Sequence, residues 1–368
     1  MIDHKRVPLK VLIATPYGFG GRGGIDRLND MIFDVLSRSY ETNIAAKRLV
    51  TRGHGSLYLA PFVFAGALIR LLIAKLFGKV DLLHICLSVY GSAYRKYFLA
   101  VWARYLRIPY IVHLHGGGFD QFWLNVSPRV ARLIDDIFLQ SEKVVVLGNF
   151  WASVVSERLP KVTKNILIIP NATPKIVQDK IAAEDSCVRL SFVGEVGRRK
   201  GTPQFIEALG RLASRNDWSA TIAGNGDVDH SKARIQDLGI ANRVDVPGWL
   251  GSAATSDLFR RTDIFVLPTF AENLPVSILE AFAWGIPVIS TPVGAIPEIV
   301  TNEKNGLLIP IGDVNALTNA IERLIADRSL RERLGKAGQD YHAKYHNLDV
   351  YVGRLVALWQ AVAATERA

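Results

Sequence analysis

Short apolar runs alternate with amphipathic stretches along almost the whole chain, and this alternation restricts the fold more than any single motif does. Residues 10–14, 82–86, 110–113, 143–147 and 166–169 read as strands. A second series follows at 189–193, 219–223, 243–246, 264–267 and 287–289. Most are continuous apolar runs, as expected of strands covered on both faces of a parallel sheet. Helical patterns lie between them, so the chain reads as α/β with doubly wound sheets. The two series part at "IPNATPKIVQDKIAAEDSCVRL", where Pro170, Asn171 and Pro174 punctuate the sequence. We therefore expect a first domain over 1–175, a second over 176–345, and a C-terminal helix over 346–368 that packs back toward the first. A length of 368 residues, 49% of them hydrophobic, is enough for two packed cores.

Each series restarts in the same way. The first strand runs into "TPYGFGGRGGIDRL", in which Gly18, Gly20 and Gly23 fit the G-x-G-x-x-G spacing of a dinucleotide-binding turn. The second opens with "RLSFVG", then "EVGRRKG", then a helix from about Thr202. Two first turns suited to phosphate suggest one ligand shared across a cleft, at the carboxyl ends of the strands. A nicotinamide or flavin site also needs an acid about 20 residues after the glycines, at the end of the second strand. Glu41 is near that distance but precedes the "TNIAA" run, and Asp26 and Asp30 come too early. A lone glycine motif is weak evidence, so an NAD(P)-dependent oxidoreductase is kept only as a minor alternative.

The net charge of +10 is unevenly placed. Residues 1–175 hold 23 Lys and Arg against 11 Asp and Glu, an excess of 12; the rest hold 21 against 23. Nucleic acid, an anionic membrane or a phosphate-rich acceptor would each exploit a basic first half. No nucleic-acid motif is present, which favours the membrane. Residues 57–77 are apolar, but Pro61, Arg70 and Lys75 interrupt them below the length of a span. Residues 94–107, "YRKYFLAVWARYLR", interleave aromatics and arginines at helical spacing. They read either as a helix with a solvated basic face or as one lying at a lipid interface. The N-terminus lacks the apolar stretch of a secretion signal. Cys86 and Cys187 fall outside metal-ligand spacing, so reduced thiols in the cytoplasm are expected.

The chemistry concentrates in "LPTFAENLPVSILEAFAWGIPVISTPVGAIPEIV". Glu272 lies in the loop after a strand, Leu274 and Pro275 open a helix, and Glu280 sits on it with seven residues between the two glutamates. Amides at a helix start favour an anion such as a diphosphate, and a carboxylate there can accept from sugar hydroxyls. Taken alone, the glutamates read first as a surface loop acid and a helix-start charge, since acids near helix starts are common for dipole reasons alone.

This stretch resembles the retaining nucleotide-sugar glycosyltransferases of the GT-B fold, the group 1 or family four type, whose hallmark is E-x7-E. Further segments are similar in the family's order: "IPYIVHLHGGG", "IIPNATP", "SFVGEVGRRKG", "IAGNGD", "RVDVPGWL" and "NGLLIP". The resemblance implies two Rossmann-like domains whose parallel sheets face each other across a cleft. It implies that Lys200 binds the donor diphosphate and that Glu280 hydrogen-bonds the nucleotide ribose. It places Glu272 on hydroxyls of the transferred sugar, with the backbone of Asn273, Leu274 and Pro275 beside it. His115 then sits next to the reacting sugar, and the loop at Gly20 and Gly21 approaches the phosphates from the other domain. The neighbouring His113 reads as a strand side chain satisfied in the core. The family's usual arginine after the turn glycine is Glu195 here; Arg198 or Arg199 is left to compensate, with Arg199 adjoining Lys200.

The implied reaction is transfer of a hexosyl group from a UDP- or GDP-hexose, with retention, to a saccharide acceptor. A basic first domain suits a lipid-linked acceptor at the inner face of the cytoplasmic membrane, in polysaccharide or lipopolysaccharide synthesis. No cofactor is implied. "DVD", Asp227 to Asp229, is too short to mark a metal site and reads as loop. Positive side chains and helix N-termini would then stabilise the leaving diphosphate in place of a metal. A GT-B sugar epimerase or phosphorylase is the nearest alternative.

Overall fold

The computed structural model describes residues 8–21, 23–38, 43–181 and 187–365. The chain forms two compact units: Met1–Asn171 with Leu348–Ala368, and Ala172–Asn347.

The first unit is built on β1 (Leu9–Thr15), β2 (Ile44–Val50), β3 (Leu82–Leu87), β4 (Tyr110–Leu114), β5 (Lys143–Val146) and β6 (Ile166–Ile168). Every pair is parallel, in the order β2-β1-β3-β4-β5-β6. All residues of β3 and β4 are buried, which explains why their runs are apolar apart from His84 and His113. Helix Leu348–Thr365 packs on β1 and on helix Gly24–Arg38. Leu348, Tyr351, Val352, Leu355 and Trp359 recur along it at three- and four-residue steps, and all are buried.

The second unit contains β7 (Val188–Val193), β8 (Trp218–Ala223), β9 (Val244–Gly248), β10 (Ile264–Leu267), β11 (Val288–Ser290) and β12 (Gly306–Leu308). Its parallel order is β12-β11-β10-β7-β8-β9. Successive crossovers run outward from β7 on one side and from β10 on the other. The order therefore reverses between these two strands, where ligands of open α/β sheets bind.

Ten strands coincide with the sequence reading to within one or two residues at their ends, but β2 and β12 were not anticipated. Both lie at a sheet edge. β2 carries Lys47 and Arg48 and buries only Leu49, so it has no apolar run to detect. β12 is three residues long and begins with a glycine.

Candidate active site

The exit of β7 is a cationic turn. After Gly194 the chain passes through Glu195 to a 3-10 turn, Arg198–Lys200, and Gly201 leads into helix Thr202–Arg211. Gly201 has φ +75, and any Cβ there would overlap the carbonyl of Pro268 at the exit of β10. Only glycine lets the two exits touch this closely.

The exit of β10 is strapped to that turn. Phe270 N donates to Arg199 O at 2.9 Å, and the Thr269 hydroxyl lies 3.1 Å from the same oxygen. From the other side, Thr291 Oγ1 donates to Thr269 O at 2.5 Å and Ala295 N donates to Asn273 O at 2.9 Å. Gly294, at φ +57, lies beneath the carbonyls of Glu272 and Asn273, where a Cβ would collide.

This bracing sets the charges. Lys200 Nζ forms an ion pair with Glu272 Oε1, with side chains 13% and 8% exposed. The more exposed Arg199 pairs with Glu195 at 2.8 Å, donates to Ala271 O at 3.3 Å, and lies 3.9 Å from Glu272. Of the two arginines left open by sequence, Arg199 is the one brought to Glu272; Arg198 is exposed. Thr269 Oγ1 is 3.3 Å from Glu272 Oε1.

Helix Val276–Ala283 starts directly after this loop and carries Glu280, which is half-buried. Pro275 stands at the N-cap, one residue earlier than expected, and supplies no side-chain cap. Leu274 and Asn273 are buried beneath it. Lys200, Arg199, Glu272, Asn273, Leu274, Pro275 and Glu280 thus gather at the reversal point between β7 and β10. Helix Val276–Ala283 aims its amino end there, a field that favours an anion. Asp227 and Asp229 stand at the start of helix Val228–Asp237. Among the described residues, no group of three His, Cys, Asp or Glu could hold a metal ion.

In the first unit, His115 follows β4 directly, its backbone N donating to Leu87 O at 2.8 Å. It is partly exposed, and its ring lies against that of His113, with centroids 3.9 Å apart and the planes tilted by 36°. Loss of water around the ring lowers its pKa to about 3, so it is neutral at pH 7. The expectation that His113 is satisfied in the core holds for one nitrogen only. Nδ1 meets His84 Nε2 at 3.1 Å, whereas Nε2 is buried with no partner among the described residues.

Gly20 is exposed at φ +72, and its N–H donates to Asp30 Oδ2 at 3.0 Å. Gly21 has a packing reason to be glycine, because a Cβ would meet the Asp26 side chain at 2.6 Å. Asp26 itself is buried, accepts from Tyr17 N at 3.1 Å, and is raised to about 7 chiefly by burial. Lys96 is fully buried and donates to Ala14 O at 2.8 Å and Thr51 Oγ1 at 3.0 Å. Burial lowers it to about 7. Sequence reasoning missed these groups because an isolated Asp or Lys in an amphipathic stretch gives no sign of which way it faces. Glu41, weighed as a ribose acid, lies outside the described residues.

The first unit also exposes an apolar face. Helices Ala60–Leu76 and Gly91–Tyr105 are joined by Trp102 Nε1 donating to Leu68 O at 3.1 Å. Phe62, Leu76 and Phe77 are exposed on or just after one helix, and Phe98 and Tyr105 on the other. Arg70, Lys75 and Arg107 are exposed beside them. The outward side of these helices is therefore not simply a solvated basic face. No helix among the described residues is long and apolar enough to cross a membrane.

Comparison with known proteins follows the same division. Residues 177–341 match the family model described as glycosyl transferases group 1. The lipopolysaccharide core biosynthesis glycosyltransferase LpsE of Rhizobium meliloti (strain 1021) is 33% identical over 215 residues, 58% of this chain and 56% of that protein. The UDP-Gal:alpha-D-GlcNAc-diphosphoundecaprenol alpha-1,3-galactosyltransferase of Escherichia coli is 26% identical over 270 residues, 68% of each chain. The chain spans about half the length of the first curated relatives it matches. Among solved structures, Anabaena Alr3699/HepE in complex with UDP and glucose aligns with TM-score 0.75 and 17% identity, covering 96% of this chain and 99% of that one. This likeness gives the chain the GT-B fold.

Proposed function

From the match of residues 177–341 to the glycosyl transferases of group 1, we propose that this chain transfers a hexosyl group from a UDP- or GDP-hexose to a saccharide acceptor, with retention at the anomeric carbon. The reading is carried by the Lys200–Glu272 ion pair at the reversal point between β7 and β10. A cation held there meets a diphosphate as a point charge, and Arg199 adds a second. The carboxylate that Lys200 releases is then free to accept from hydroxyls of the transferred sugar, beside the backbone of Asn273, Leu274 and Pro275. Glu280 takes the ribose.

In this mechanism bond breaking leads. As the diphosphate leaves, its growing charge meets Lys200, Arg199 and the amino end of helix Val276–Ala283, groups already in place. The acceptor hydroxyl attacks the same face, and the departing phosphate takes its proton. To the first unit we assign acceptor binding, and of its residues we assign His115, neutral at pH 7, to the sugar and Gly20 and Gly21 to the phosphates.

The acceptor we favour is lipid-linked. The apolar face that includes Phe62, Leu76 and Tyr105, with Arg70 and Lys75 beside it, suits an anionic bilayer surface. The names of relatives from lipopolysaccharide core and diphosphoundecaprenol chemistry support this reading. The test is a panel of UDP- and GDP-hexoses assayed for binding and for transfer or slow hydrolysis. One sugar nucleotide should stand out, and Lys200→Ala should abolish its turnover. Full turnover in that variant would overturn the phosphate assignment, and sugar conversion without any acceptor would point to an epimerase.

A further inference from the structure

The buried histidines of the first unit are linked in one direction. Trp359 is fully buried on helix Leu348–Thr365, and its Nε1 donates to His84 Nδ1 at 3.1 Å. An indole N–H can only donate, so His84 Nδ1 is an acceptor. Burial lowers His84 to about 3, so its ring is neutral and its single proton sits on Nε2. That nitrogen lies 3.1 Å from His113 Nδ1. The opposite order, with His113 donating, would leave His84 two acceptor nitrogens and no proton, an imidazolate. His113 therefore accepts at Nδ1, and as a neutral ring it carries its proton on Nε2. This is the nitrogen that is buried without a partner among the described residues, and its ring lies against His115, tilted by 36° with centroids 3.9 Å apart. An unmet buried donor is unfavourable, so this N–H is poised to meet an acceptor.

We propose that Trp359 is a positioning residue for His115. A donor-only indole sets the proton order of Trp359, His84 and His113, and ligand binding turns the His115 ring to accept from His113 Nε2–H. His115 is then left with one N–H, which it presents to an oxygen of the bound sugar. A base in this position would present a lone pair; this arrangement makes His115 a donor. The inference rests on the reading of His115 as the neighbour of the transferred sugar.

The test is side-chain nitrogen NMR on the full chain labelled with 15N-histidine, at pH 7.5. In the free protein His84 and His113 should both be Nε2–H tautomers. Adding UDP-glucose or GDP-mannose, whichever binds, should drive His115 to one tautomer. In Trp359→Phe, His84 and His113 should become tautomer mixtures, and kcat should fall about tenfold with donor KM unchanged. An Nδ1–H tautomer at His113 in the free chain overturns the proposal, as do unchanged tautomers in Trp359→Phe or an unmoved His115 on donor binding. The first measurement needs neither variant nor activity, so it stands even if Trp359→Phe fails to fold. Failure of both sugar nucleotides to bind, with His113 still Nε2–H, would instead count against the transferase reading and remove the role proposed for His115.

Discussion

Lys200 and Glu272 are ion-paired within the second unit, the ammonium from the turn after β7 and the carboxylate from the loop after β10. Each is the other's counter-charge before a ligand arrives. Removing one partner of a mostly buried pair strands the other and costs roughly 3 kcal/mol. Lys200→Met should therefore lower the thermal midpoint and also abolish turnover. Lys200→Met combined with Glu272→Gln should regain most of the stability and none of the activity. Calorimetry and the donor assay on the single and double variants separate these two contributions, and a double variant as unstable as Lys200→Met would contradict the pairing.

Glu195 occupies Arg199 in the free protein, at 2.8 Å and well exposed. An exposed pair is worth no more than about 1 kcal/mol. Glu195→Gln should loosen one of the guanidinium's contacts, leaving those to Ala271 O and Glu272, and remove a charge that repels the donor. Donor KM should fall about two- to fivefold at low salt, with the gain fading as ionic strength rises. A weaker donor affinity in this variant would show that Glu195 holds Arg199 in its working position.

Gly201 and Gly294 have positive φ and lie against backbone carbonyls that cannot yield as a side chain can. Gly201→Ala would force the Pro268 carbonyl away and pull the cationic turn off the β10 exit. A loss of roughly 2 kcal/mol or more is expected from strain and overlap together. Donor turnover should drop more than the melting temperature alone accounts for. Gly20→Ala, where nothing lies within 4 Å of the added carbon, pays only for its φ of +72 and should be milder.

Much of this was legible because burial leaves a mark on sequence. β10 is buried throughout and reads as an unbroken apolar run, and β3 and β4 read as apolar runs interrupted only by His84 and His113. β2 shows one buried residue among Lys47 and Arg48 and left no such mark. At the site, "FAENLPVSILEAF" announced Glu272, Pro275 and Glu280 through loop and helix chemistry in one continuous stretch. The pairing of Glu272 with Lys200 joins positions 72 residues apart, which only the sheet order brings together. The link from Trp359 to His84 spans 275 residues and lies wholly in the packing. Local spacing could not have shown it.

His84 and His115 are lowered to about 3 and His342 to about 4, in each case mainly by burial. The unfolded chain takes up a proton at each below about pH 6.5, and the folded chain does not. The histidine contribution is therefore complete above that pH and falls as the pH drops toward 4, opposed in part by Asp26, whose carboxyl, raised to about 7, gains stability over the same range. Each such histidine contributes a slope approaching about 1.4 kcal/mol per pH unit. Urea midpoints measured from pH 7.5 to 5 should decline steeply below 6.5. His342→Phe should flatten part of the decline by removing one proton uptake. A flat profile would mean that these rings charge readily in the folded protein.

Phe62 and Leu76 lie on helix Ala60–Leu76, 75% and 73% exposed, with Arg70 and Lys75 also exposed on the same helix. Neither apolar side chain supports the core, so Phe62→Ser with Leu76→Ser should leave the unfolding free energy within about 1 kcal/mol of the parent. If this face meets a bilayer, the double variant should lose binding to vesicles containing anionic lipid. Arg70→Glu with Lys75→Glu should lose it too, by about 1 kcal/mol for each basic charge removed and more for the reversal. Donor hydrolysis, to which none of these four residues is assigned, should be unchanged in both. Transfer to a lipid-linked acceptor in vesicles should fall at least tenfold, while transfer to a water-soluble analogue should not. Equal loss on both acceptors would place the defect in the fold or the donor site, and full vesicle binding in both variants would remove the membrane role from this face.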